Sequence, residues 1–309
     1  MRQTLRNNYL AQLGLLLFIF GTSAIVLALL IQVLMSALHL SPDALTSSPG
    51  IARLSQCIGA FLTMGLPSLV FGYIVNNHKP AQYLRFTRRI SGKQVFLVIV
   101  IVFAAVLLGG ALARVNQQLP VPANWAQAFK KLEDNYNKDI MVIAGMRNIQ
   151  DYIVSLLLLA FLPAMMEEML FRGCVQQVAV GLVRKPWLGI LITGVLFSAI
   201  HISFYGFLPR LMLGMVLGYL YYYGNNIWLN IWAHFFNNAM ALTSVYSLSR
   251  SGKLTPDSVN DSMNDTFPLY IGLLGLMVTV SLLIRFKTES ERVAQLYPND
   301  QEPFNHTNP

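Results

Sequence analysis

Long apolar runs separated by short polar turns dominate this chain. They cover residues 10–38, 56–75, 95–113, 152–180, 187–202, 207–223, 227–246 and 269–284. Most approach or exceed the roughly 20 residues that a helix needs to cross a hydrocarbon core. Backbone polar groups in lipid must be satisfied inside the segment, which favours helices. The pattern therefore predicts an all-α, polytopic integral membrane protein with about eight transmembrane helices around whatever polar residues they enclose. The first run follows Arg2 and Arg6, as a signal sequence would. It is far longer than the 7 to 15 residues typical of a signal core and has no obvious small-residue cleavage site, so it is read as a retained span.

The polar stretches divide the chain further. Between 115 and 147, Trp125, Phe129, Leu132, Tyr136 and Ile140 recur at helical spacing beside Lys130, Lys131, Glu133 and Asp134. This predicts an amphipathic helix on the membrane surface, with a packing role favoured over a gate. Residues 247–266 read as a polar loop, and 288–309 as a disordered tail. The expected organisation is 1–150, three spans plus the interfacial helix; 151–246, a catalytic core; and 247–309, the last span and tail. No internal repeat and no glycine-rich phosphate loop is present.

Composition sharpens this picture. Hydrophobic residues make up 55% of the chain and charged residues 12%, against about 25% charged in ordinary soluble domains. The net charge of +8 sits in loops and tails, so it implies membrane topology and no nucleic-acid partner. Lys79, Arg85, Arg88, Arg89 and Lys93 fill one loop, Arg184 and Lys185 another, and Arg285, Lys287 and Arg292 follow the last span. With eight spans all three clusters share a side, which places both termini in the cytoplasm and the protein in the cell (inner) membrane. Cys57 and Cys174 are the only cysteines, too few for a disulfide framework or a cysteine metal cluster.

Chemistry enters at Glu167, Glu168 and Arg172, three ionisable residues continuous with the apolar run that begins at Tyr152. Charges within a span cost roughly 2.5 to 3.5 kcal/mol each on insertion scales and mark functional sites. Glu168 and Arg172 stand i, i+4 and can pair, whereas Glu167 is turned about a quarter-turn away. The expectation is a structural ion pair beside a carboxylate left free for chemistry, with all the buried charge gathered in this motif. His201, His234 and Asn238 lie in later apolar runs, and His234 and Asn238 share a helix face. At 1.5 Å per residue, the depths of Glu167, His201 and His234 agree loosely enough for one site. A carboxylate, two imidazoles and an amide suit hydrolysis: Glu167 as general base, with the imidazoles either holding a divalent metal or orienting water while Asn238 donates to an oxyanion. A proton-coupled transporter would be expected to show repeat symmetry, which the chain lacks.

The ordered set Glu167-Glu168-x-x-x-Arg172, Phe197-x-x-x-His201 and His234-x-x-x-Asn238 resembles the CPBP (Abi) family: type II CAAX prenyl proteases and bacteriocin-processing or self-immunity membrane proteins. The likeness covers 151–246. It implies an intramembrane endopeptidase acting on a membrane-associated peptide or protein, which in the CAAX case is prenylated. Glu167 and His201 would activate water, and His234 and Asn238 would stabilise the oxyanion or help bind a metal. If zinc is used, Glu167, His201 and His234 are the ligands; the metalloprotease form is slightly favoured and a metal-free glutamate mechanism stays open. The alternative is a non-catalytic immunity or scaffolding protein that keeps the motif for structure.

Overall fold

The computed structural model describes residues 2–39, 41, 44–45, 48–86, 89–143, 146, 148–255, 258–259 and 266–297, and among them no residue forms a strand. Helix α1 spans Tyr9–Ala37 and α2 spans Pro49–Val75. They are followed by α3 (Gly92–Gln117) and α4 (Ala123–Ile143). Then come α5 (Ile149–Val183), α6 (Pro186–Ala199), α7 (Phe207–Gly224), α8 (Ile227–Arg250) and α9 (Leu269–Leu296).

Local chemistry sets the boundaries. The Asn8, Ser48, Asn148 and Asn226 side chains cap the starts of α1, α2, α5 and α8. Ser91 and Gln94 form a reciprocal capping box at α3, which satisfies amide groups that the first turn leaves without partners. Arg184 and Asn225 end α5 and α7 in the left-handed conformation.

Five helices, α1, α2, α3, α5 and α9, are long and apolar enough to cross a membrane, so the expected count of eight is not reproduced. Helix α6 has 14 residues, a rise of about 21 Å. In α7 and α8, tyrosines, Arg210, asparagines and His234 dilute the apolar character. The three short or diluted helices are the ones that, with α5, build the site.

Outward-facing Leu17, Phe18, Leu29, Leu273 and Met277 are more than half exposed. Such faces suit contact with lipid and would be an aggregation hazard in water. Inside, Ile101, Leu217, Leu220 and Phe286 join α3, α7 and α9, while Phe71, Met169, Val178 and Ile231 join α2, α5 and α8.

Three contacts align one end of the bundle. The Tyr9 ring lies against Gly181, the Ile227 amide donates to the Arg85 carbonyl at 3.3 Å, and the Ser91 hydroxyl donates to Glu289 at 2.9 Å. The basic clusters at 79–93, 184–185 and 285–292 thus share a face; Arg88 lies outside the described residues.

Two expectations are corrected here. The segment from Thr288 is not a tail but continues α9 to Leu296, held because Glu289 and Ser290 are buried against the start of α3. Similarly, α8 runs on to Arg250 rather than ending at Tyr246. Residues 256–257, 260–265 and 298–309 of the expected loop and tail lie outside the described residues.

Candidate active site

Helix α5 carries the carboxylates between two widened π-type turns, Leu156–Phe161 and Phe171–Gln176. Such turns are rare and recur at functional sites. Between them, Leu162–Leu170 holds Glu167 and Glu168, with Pro163 just after the first widened turn, where its missing amide proton interrupts the helix ladder.

Glu168 and Arg172 are fully buried, and Arg172 Nη1 donates to Glu168 Oε1 at 2.7 Å. Arg172 Nη2 donates to the Gly214 carbonyl of α7 at 3.1 Å, and the guanidinium lies 4.9 Å from the centre of the Phe197 ring. The same Glu168 oxygen faces His234 Nδ1 at 2.9 Å. A carboxylate on Nδ1 fixes the tautomer that carries the proton there and leaves Nε2 with its lone pair. His234 Nε2 in turn faces Glu167 Oε2 at 3.7 Å. That separation is too long for a hydrogen bond, and Glu167 Oε2 is buried without a hydrogen-bond partner.

His201 follows the end of α6. Its Nδ1 lies 2.8 Å from the Phe197 carbonyl, so the Nδ1 proton goes there and Nε2 is left as acceptor. The Phe197 ring meets both His201 and His234 edge-on, at 5.1 and 5.6 Å between centroids. His201 is within electrostatic reach of Glu167, His234 and Arg210. A cavity of about 400 Å³ is lined by His201, His234, Asn237, Asn238 and Arg210, with α3 residues 105–113 as its opposite wall. Glu167 does not line it; His234 is the member common to the cavity and the carboxylate. The cavity lies towards the ends of α3, α6 and α8 remote from the basic loops.

The structure thus brings Glu167, Glu168, Arg172, His201 and His234 together and sets Asn238 on the same cavity, its Oδ1 accepting from Asn237 at 3.4 Å. Two features escaped the sequence. Glu168 holds His234 as well as Arg172, a contact between helices that spacing within one helix does not encode. Arg210, partly buried on the cavity wall, is a charge at the site that lies outside the α5 motif; a lone basic residue inside the run 207–223 was its visible trace.

A zinc ion needs donors gathered at about 2.0 to 2.2 Å. Among the described residues no three His, Cys, Asp or Glu side chains are grouped to hold one. Glu167, His201 and His234 as placed do not fit that ligand set, and no step below runs through a metal. What the arrangement offers instead is an unpartnered carboxylate oxygen 3.7 Å from the acceptor nitrogen of a ring that lines the cavity.

Residues 149–240, under a third of the chain, match the family model described as type II CAAX prenyl endopeptidase Rce1-like. Over that segment, which holds every motif residue named above, the chain is CAAX-protease-like, as its motifs predict. No curated protein and no solved structure matches.

Proposed function

From this CAAX-protease-like core we propose a membrane-embedded endopeptidase that hydrolyses a peptide bond of a membrane-associated peptide or protein, prenylated substrates included. The observation that carries the proposal is the approach of Glu167 Oε2 to His234 Nε2 at 3.7 Å, which joins an unpartnered carboxylate to a ring on the cavity wall. A water bound from the cavity at His234 Nε2 donates one proton there and the other to the Glu167 carboxylate, and directs a lone pair into the cavity. Glu167 takes a proton as the water attacks the carbonyl carbon, and the Asn238 amide donates to the oxygen that becomes negative. His201, accepting at Nε2, relays a proton to the departing amine. This division gives His234 the water that the family resemblance assigns to His201, and gives His201 the leaving group. Arg172 and Glu168 do no chemistry; they keep the His234 ring and its tautomer in place.

With the basic face in the cytoplasm of a cell (inner) membrane, both termini are cytoplasmic and the cavity receives substrate from the far side. The proposed catalytic core is 151–246, with 1–150 and 247–309 as the flanking spans.

The test is cleavage of a tethered peptide by purified protein, with and without chelator. Glu167→Ala and His234→Ala should each abolish cleavage while leaving the protein inserted and monodisperse. If both variants keep the biological activity, the non-catalytic immunity or scaffolding alternative replaces this one; loss of cleavage on chelation would restore the metal route.

A further inference from the structure

Arg210 is not used by the chemistry above, yet it is the one charged side chain among the described residues that line the cavity. It stands in the first turn of α7. Its Nη1 is buried without a hydrogen-bond partner, and it forms no ion pair with any described residue. The guanidinium folds back onto Gly206, where a Cβ would collide with Nη1 and leave no room for the side chain's present path. The turn beneath is fixed as well: Asn116 of α3 donates to the Phe204 carbonyl at 2.7 Å and accepts from the Leu208 amide at 2.9 Å. A cation held in a preset posture on the cavity wall, with one nitrogen buried and unpartnered and no counter-charge beside it, carries a desolvation cost that nothing in the protein offsets. It becomes favourable when a ligand supplies the anion, and a guanidinium fork matches a planar carboxylate better than any other group. The helix N-terminus adds to the same field.

We infer that Arg210 binds a carboxylate of the substrate and so selects which peptides enter the cavity and in what register. The peptide nature of the substrate rests on the endopeptidase reading; the anion site does not. The carboxylate has two sources, the free C-terminus of a short trailing segment or an acidic side chain near the cut.

The experiment uses the full chain in detergent with internally quenched peptides randomised around the cut. One pair differs only in a C-terminal acid against a carboxamide, and a second pair only in Asp or Glu against Asn or Gln. Wild type should prefer one carboxylate at least tenfold in kcat/KM, mainly through KM, and the pair showing it identifies the source. Arg210→Gln should bring that ratio to within twofold of one, and Arg210→Lys should keep part of it. Gly206→Ala, which displaces the guanidinium but retains its charge, should weaken the preference too, and serves alone if Arg210→Gln does not fold. Equal cleavage of both members in both pairs, or a preference that survives Arg210→Gln, overturns the assignment and leaves the peptidase reading intact. If no peptide is cut, binding of the acid and amide peptides to Glu167→Gln decides. Arg210-dependent selection of the acid keeps the anion site while the peptidase reading falls, and indifference to the carboxylate removes the anion site as well.

Discussion

Two neighbouring glutamates on α5 have opposite fates although each buries one oxygen without a hydrogen-bond partner; the difference lies in what the other Glu168 oxygen meets. Glu168 is fully buried with Arg172 at 2.7 Å and His234 at 2.9 Å on the same oxygen, so its charge is compensated and fixed. Removing one partner of a buried pair leaves the other uncompensated, at a cost of roughly 3 to 5 kcal/mol. Arg172→Ala should therefore lower the melting temperature in detergent clearly as well as activity. Glu167 offers a buried oxygen with no hydrogen-bond partner; Glu167→Gln gives up no hydrogen bond there, so its melting temperature should equal or exceed wild type while turnover falls at least about 100-fold, the scale of a lost general base. Differential scanning fluorimetry beside a cleavage assay checks both, and equal destabilisation by the two variants would refute the division. The Glu168–Arg172 pair was legible because four residues along one helix is a local relation. The Glu168–His234 contact was not, because two helices must pack before it exists. Arg210 was legible and overlooked, since the apolar average of 207–223 hides a single charge.

At the scale of elements, the site depends on how closely α6 and α7 approach. A Cβ on Gly214 would lie 3.0 Å from the Gly194 Cα, so the two backbones nearly touch, as small residues permit in membrane packing. The Gly214 carbonyl is also the second acceptor for Arg172, which ties this crossing to the ion pair. Gly214→Ala must separate the helices and stretch that bond, so both melting temperature and cleavage should fall. Gly14→Ala on α1 is the control: a Cβ there meets nothing within 4 Å, and alanine in a helix is favoured by up to about 1 kcal/mol over glycine. Its melting temperature should hold or rise, and a like fall in the two variants would show that helix propensity, not the crossing, matters. Hydrophobic runs predicted the main helices to within a few residues at most ends, because burial in lipid demands continuous apolar sequence. They read α6 to α8 as full spans, a count of eight that length and apolarity alone do not reproduce, and missed the π-type turns of α5, since a short helix and a widened turn arise from packing around polar side chains that an apolar average does not register. The amphipathic 115–147 segment was legible as a helix. Its docking through the Glu133 carboxylate on the Ser203 hydroxyl, at 2.8 Å, and the Phe129 ring stacked on Phe204, at 4.7 Å, was not.

Across the whole molecule, α9 is clasped to α3 at the basic face, far from the cavity. Glu289 is nearly inaccessible, yet it accepts from Ser91 at 2.9 Å, and Lys93 reaches it at 3.2 Å and Arg292 at 3.7 Å; beside it the Gln94 amide donates to Ser290 at 2.9 Å. Composition alone made this segment a tail because it is charged, but a charged stretch stays ordered when its buried members find partners. Burial pushes the Glu289 carboxyl up, and the Ser91 hydroxyl, the Lys93 ammonium and Arg292 together outweigh it, leaving it below its ordinary value of 4.5. A carboxyl lowered by folding stabilises the folded state fully above its unfolded value, and that contribution is lost as pH falls through the folded value. Wild type should accordingly melt above Glu289→Gln by a margin that is constant above about pH 5.5 and shrinks once the pH drops below the ordinary carboxyl range. A margin that persists unchanged down to the acid limit of the folded protein would mean that the clasp rests on packing of Phe286 and Val293 rather than on the charge of Glu289.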